Sequence, residues 1–379
     1  MRFAYVVGVL TLLSCVLTWI STDHFRGFGA GPDEAELVRF GQSSHFREGH
    51  FENLEHTEVS PGGKWMQMLR RQLFGDEMRT PNCELPLFPT TKARLWTAPT
   101  SGLRITWLGH STTLIEIDGV RILTDPIWSE HSSPSYWVGP TRFHPPPVAI
   151  RDLPHLDAVI ISHEHFDHLD MATVRSLARN GVVFHVPLGV GSHLRSWDVP
   201  PAQIHEHDWW DGDEVARGVR VISTPSRHFN GRGVPGRTGT FWTSWSVVGP
   251  RHRVFFSGDT GFTEAFRDIG QRFGPFDVAM FEIGQYDRLW GEIHLGPEGA
   301  LEAHRLLGAR VFLPIHWATF QLGFHAWSEP AETLLRHAEQ SHIDVLTPLL
   351  GEPIEPTEHP TTRAWWRDLP PMTDACPSR

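Results

Sequence analysis

Nine consecutive residues, Ser162-His163-Glu164-His165-Phe166-Asp167-His168-Leu169-Asp170, gather side chains able to hold a metal ion. Three histidines and one aspartate fall within six positions. Imidazole nitrogen together with carboxylate oxygen suits zinc and leaves coordination positions free for water. A single turn can aim His163 and His165 at one ion while Asp167 and His168 reach a second. Histidine is abundant in this chain, 24 residues in 379, yet H-x-H-x-D-H between an apolar run and a helical pattern is a specific arrangement.

Such a turn needs rigid elements on either side. Residues 158–162 read as a buried strand, and 170–178 as a helix with Asp170 as its N-cap. Upstream, residues 103–109, 113–117 and 120–124 are short β-rich runs, with Asp118-Gly119 as a hairpin turn between the last two. Residues 132–147 contain five prolines and form a long ordered loop. Further strands are expected at 219–224, 242–248, 253–257, 277–283 and 311–315. Helices are expected at 64–74, 263–272, 297–307 and 330–339. Hairpins followed by strand–helix alternation indicate an α+β or layered α/β body, and no internal repeat is visible.

The H-x-H-x-D-H turn resembles that of the metallo-β-lactamase superfamily. The resemblance implies a layered αββα fold, with two packed β-sheets flanked by helices. It also implies further ligands at later strand ends, and this sequence offers them in order: His228 in T-P-S-R-H, Asp259 in S-G-D-T-G and His316 in P-I-H-W. On that basis His163, His165 and His228 hold one zinc; Asp167, His168 and His316 hold the other, and Asp259 bridges them. The cofactor implied is two Zn2+, with Mn2+ or Fe2+ as alternatives. Two such ions bring a shared water toward neutrality as hydroxide and polarise the substrate oxygen, which is hydrolytic chemistry. Flavodiiron relatives carry Glu where His165 stands, so the pattern favours hydrolysis over redox chemistry.

Longer matches narrow the branch. W-L-G-H-S-T-T-L-I-E (107–116), T-D-P-I-W (124–128), S-P-S-Y-W-V-G-P-T-R-F (133–143), D-W-W (208–210), S-W-S-V (244–247) and R-F-G-P-F-D (272–277) resemble the N-acylphosphatidylethanolamine-hydrolysing phospholipase D family. This similarity spans roughly residues 103 to 335. It implies cleavage of a phosphodiester to N-acylethanolamine and phosphatidic acid. It also implies that His294, in I-H-L-G-P-E, joins Asp167 as a catalytic candidate or contacts phosphate. Tyr136 and Trp137 match a stretch that lines the substrate entrance, where this chain has Y-W instead of the animal Q-Y. Trp128, Trp137, Trp209, Trp210, Trp242, Trp245 and Trp317 stand near the ligand loops, as an apolar cleft for acyl chains would require.

Composition sets the outer limits. Hydrophobic residues are 40% and charged residues 20%, enough for a sizeable core. A net charge of −11 without a basic run speaks against gripping nucleic acid. Cys15, Cys83 and Cys376 are too scattered for a disulfide framework or a cysteine metal site. Residues 3–20 are uncharged and apolar, and roughly 17–25 such residues span a bilayer. Arg2 before this stretch and Asp23 after it place the body outside the cytoplasm, on an uncleaved anchor; cleavage would leave it secreted or periplasmic. The organisation expected is an anchor at 1–22, an extension packing on the body at 23–100, a catalytic domain at 101–350 and a proline-rich tail at 351–379. The expected partners are a phospholipid or other amphiphile and the membrane, and a homodimer is compatible with the sequence. The rival readings are a lactone or amide hydrolase with the same metals, and a non-catalytic, metal-stabilised lipid-binding envelope protein.

Overall fold

Period-2 alternation between residues 103 and 124 produces β3 (Leu103–Gly109), β4 (Thr112–Ile117) and β5 (Val120–Thr124), after a small ribbon of β1 (Phe46–Arg47) and β2 (His50–Phe51). Asp118 and Gly119 turn the β4–β5 hairpin with φ of 49° and 84°, the left-handed pair a two-residue turn demands. The chain continues through β6 (Ala158–Ile160), β7 (Val183–Pro187), β8 (Ile204–His207), β9 (Gly212–Ala216), β10 (Val219–Thr224), β11 (Ser244–Val248) and β12 (Arg253–Phe256). It ends with β13 (Phe276–Glu282), β14 (Ala309–Ile315), β15 (Asp344–Val345) and β16 (Pro353–Ile354). This computed structural model describes residues 26–59, 64–135, 137–232, 239–356 and 363–369. The apolar stretch 3–20, Tyr136, Cys15 and Cys376 lie outside the described residues.

Two seven-stranded sheets result, ordered β16-β3-β4-β5-β6-β7-β8 and β15-β14-β13-β12-β11-β10-β9. Each has three antiparallel pairings at the end holding its earlier strands, β3–β5 or β9–β12, and three parallel pairings at the other end. This topological repeat has no visible counterpart in the sequence, because pairing direction belongs to the backbone and tolerates unrelated side chains.

Alternate residues face opposite layers. Ile115, Ile122 and Ile160 enter a core shared with Val221, Trp245, Val254 and Val278 of the second sheet. Leu114, Leu123 and Val159 instead meet Val174 and Leu177 of the helix Met171–Ala178. Each large aliphatic side chain so buried contributes about 1.5–3 kcal/mol. Helices Ala265–Phe273, Gly296–Leu307 and Glu329–Ser341 cover the second sheet, completing the αββα layering expected from the sequence.

Residues 179–218, where the sequence pattern marks no element, contain β7, β8, β9 and the helix Val190–Ser196. Consecutive polar residues, His205-Glu206-His207, hide the strand character of β8, and β7 is a five-residue apolar run broken by His185. The extension is tied to the body: Arg26 bonds Asp198 at 2.6 Å, while Phe40 and Phe51 pack with Trp209, Phe241 and Trp242. Past residue 350, β16 lines the first sheet, and Trp365 stacks on Trp317 at 5.6 Å. Cys83 is disulfide-bonded, one tie in place of the framework its sequence excludes. Among the described residues no helix is long and apolar enough to cross a membrane.

Candidate metal centre

The turn after β6 carries His163 and His165, and strand ends of the second sheet bring His228, Asp259 and His316 to meet it. His163 Nε2 and His165 Nδ1 lie 2.9 Å apart, and His228 Nε2 is 3.2 Å from the same Nδ1. Asp259 Oδ2 faces this trio, 3.8 Å from His163 and 3.9 Å from His228. Its other oxygen, Oδ1, is 3.1 Å from His168 Nε2 and 3.2 Å from His316 Nε2. Asp167 Oδ2 closes that second set at 3.3 Å from His168 and 3.2 Å from His316. One carboxylate therefore stands between two groups of donors.

The remaining ring nitrogens fix which atoms are offered. Ser162 Oγ donates to Asp125 Oδ2 at 2.6 Å, so it accepts from His163 Nδ1 at 2.9 Å. His168 Nδ1 donates to Asp125 Oδ2 at 2.7 Å, and His228 Nδ1 to the Ile293 carbonyl at 3.0 Å. Each bond leaves an Nε2 lone pair pointing inward, the arrangement that orients metal-ligating imidazoles. Glu164 faces the other way, onto His193 at 2.5 Å.

Two observations test whether these residues fit metal ions. His168 Nε2 and Asp259 Oδ1 are buried without a hydrogen-bond partner, at the place where a cation would satisfy both. Burial pushes His163 and His228 well below their ordinary value and His165 down to about 4, so these rings are neutral and ligand-competent. At His168 and His316 burial acts the same way but is outweighed by Asp259 and Asp167, which hold protons where a cation would sit. Binding an ion releases such protons. The donor set fits divalent metal.

His294 belongs to the same centre. Its ring stacks on His316 at 5.5 Å, and Nδ1 donates to Glu282 at 3.0 Å, with Asp259 Oδ2 at 4.0 Å. Trp137 is not brought in: it is 76% exposed on its loop, and Tyr136 lies outside the described residues. The expected tryptophan cleft is also corrected. Trp209, Trp242, Trp245 and Trp317 are buried, and Trp128 and Trp210 are half-buried against the cores. The indole N–H groups of Trp128, Trp209, Trp242, Trp245 and Trp317 find internal acceptors, as when Trp245 donates to the Ile161 carbonyl at 3.0 Å.

Several supporting residues escaped sequence reasoning. His110 Nε2 is 2.9 Å from Asp167 Oδ2, and burial pushes its ring down to about 3. Asp125 and His110 sit inside the T-D-P and W-L-G-H-S segments, at strand ends like the ligands, and that placement was the available signal. Asn53 gave none: from the extension it clasps the His228 backbone, accepting from its N–H at 3.1 Å and donating to its carbonyl at 2.8 Å. His110, Asp125 and His316 all have positive φ (51°, 31° and 66°), backbone strain gathered at the centre.

Comparison with known proteins identifies the family. The sequence model for the beta-lactamase superfamily domain matches residues 120–317. The chain is 43% identical over 358 residues to an uncharacterized protein of Mycobacterium tuberculosis, covering 92% of this chain and 95% of that one. It is 36% identical over 234 residues to N-acyl-phosphatidylethanolamine-hydrolyzing phospholipase D 1 of Caenorhabditis elegans, covering 59% of this chain and 66% of that one. In fold it is similar to Igni18, a metallo hydrolase from Ignicoccus hospitalis, with a TM-score of 0.51, 23% identity, and coverage of 66% of this chain and 97% of that one. Family match, full-length relatives and metal-binding donors converge: the chain belongs to the beta-lactamase superfamily and is a metal-dependent hydrolase.

Proposed function

We propose that this protein is a dinuclear zinc phosphodiesterase that cleaves N-acylphosphatidylethanolamine-type lipids to N-acylethanolamine and phosphatidic acid. The observation that carries the dinuclear reading is the two-faced Asp259, each oxygen directed at its own set of histidines. His163, His165 and His228 would hold one ion, Asp167, His168 and His316 the other. When bound, such a pair supplies Lewis acidity and an acidified water.

The chain's own groups do the rest. Glu282 is fully buried and fixes the Nδ1 proton of His294, which leaves Nε2 for the substrate. Hydrolysis adds water oxygen to phosphorus and breaks the bond to the N-acylethanolamine oxygen. That departing oxygen needs a proton, and His294, held as the doubly protonated imidazolium by buried Glu282, would deliver it from Nε2.

Support for a lipid substrate comes from the worm relative's activity and from the surface beside His294. Trp290 stands 5.9 Å from His294 and 5.8 Å from Phe324, over which Arg71 of the helix Trp65–Phe74 lies at 5.3 Å. On that helix Met66, Leu69, Leu73 and Phe74 are exposed. An exposed apolar helix face, joined to His294 through Arg71, Phe324 and Trp290, suits docking on a bilayer surface. An extracytoplasmic catalytic body held by residues 3–20 is the location we propose with it.

Mass spectrometry of products tests the reading, using the full chain in detergent with N-acylphosphatidylethanolamine, with and without chelator. Chelator-sensitive phosphatidic acid and N-acylethanolamine are expected. No turnover by metal-loaded protein, or carboxylate products from lactones or amides instead, would overturn it.

A further inference from the structure

A second histidine cluster lies away from the Asp259 centre, where the two sheets meet at their edges. β8 and β9 are the edge strands of different sheets, consecutive in the chain. In the parallel β7–β8 register His185 stands beside His205, and His207 follows two residues on, so all three imidazoles emerge from one face. β9 supplies Asp213 from across the corner.

The geometry points to a third metal site, a transition-metal staple of the Zn2+ class held by His185, His207 and Asp213. His185 Nδ1 and His207 Nε2 are 3.1 Å apart, and each is 3.7 Å from Asp213 Oδ2. The point equidistant from these three atoms lies about 2.0 Å from each, which is the zinc–nitrogen and zinc–oxygen bond length. His185 and His207 are 3% and 5% exposed, whereas the Asp213 side chain is 41% exposed, leaving its side open for a water as fourth ligand. His205 Nδ1 donates to Asp213 Oδ2 at 2.6 Å and steadies the carboxylate. Burial lowers His185 to about 3, with His207 and His205 adding to the effect, and burial also lowers His207, so both rings are neutral donors. Two nitrogens and one carboxylate suit zinc better than magnesium or calcium. An ion here links edge strands of both sheets at the corner where the chain passes between them. It shares no ligand with the hydrolytic centre.

Metal counting tests the site. Full-length protein is stripped with chelator, reloaded with Zn2+, desalted, and its zinc measured by mass spectrometry. H207N and D213N are each expected to retain one equivalent per chain less than the unsubstituted protein, at unchanged hydrolytic turnover per chain. D213N removes a partly exposed group and spares the core, so it reports even where H207N folds poorly. As a second readout, Zn2+ added beyond saturation of the hydrolytic centre raises the melting temperature of the unsubstituted protein and not that of D213N. Equal zinc content in all three proteins would overturn the site and leave a hydrogen-bonded histidine pair in its place.

Discussion

The Asp259 centre and the His185–His207–Asp213 cluster are built by opposite local rules. At the first, ligands sit on turns beyond strand ends, where the backbone can leave regular φ and ψ; His316 is left-handed there, and Asp125 behind it. At the second, His185 and His207 stand within paired strands and the pleat alone sets their direction. The first is wrapped by outer partners: Ser162, Asp125, the Ile293 carbonyl and Glu282 all hold its rings. The second has one such partner, His205. Chemistry needs ligands locked while coordination positions stay open, and turns backed by buried acids provide that. A staple needs only that two edges stay together, and strand register suffices.

Substitutions can break or sharpen this contrast. The largest effect is expected from D259N, which removes the carboxylate shared by both ligand sets: turnover should fall roughly 10^3-fold or more, with zinc lost from the hydrolytic centre, measured by kinetics and metal analysis. H294N should lower kcat by about 10^2–10^4-fold while zinc content stays unchanged, because His294 is assigned a proton and no ion. Should zinc be lost as well, His294 is a ligand and the assignment fails. D125N strips outer support from His163 and His168 together and should weaken metal retention or turnover by roughly 10–100-fold. The corresponding loss at the edge, H205A, should alter turnover not at all.

N53A is the mildest change expected to register. It breaks two bonds to the His228 backbone and one to Trp242, each worth about 0.5–1.5 kcal/mol. A melting temperature lower by a few degrees should result, with a smaller loss of turnover than D125N causes. Unchanged stability and turnover would mean that the extension does not position His228.

Legibility in the sequence followed the same divide. H-x-H-x-D-H is contiguous, so one turn determines its geometry, and the apolar run before it is short and β-rich enough to be read as a buried strand. The hairpin at Asp118-Gly119 and the N-cap at Asp170 were open to the same reading, because each depends on residues within a few positions, whereas the αββα layering followed from the resemblance to a known family. His185 and His207 are 22 positions apart, and β8 carries three polar residues in a row where alternation would mark a strand. Nothing local distinguishes such histidines from others in a histidine-rich chain.

By itself the sequence determined the chemistry on offer: which side chains can bind metal, in what order along the chain, and on which elements. Tertiary structure alone decided who meets whom. It turned the two oxygens of Asp259 to opposite ligand sets, seated His294 on Glu282, and brought Asn53 from the extension to His228. It also sent most of the tryptophans inward, since buried indoles found internal acceptors and apolar neighbours while Trp137 stayed exposed. The reason is range: propensity, capping and turn chemistry act over a few residues, whereas a ligand sphere is closed by sheet register and layer packing across more than a hundred.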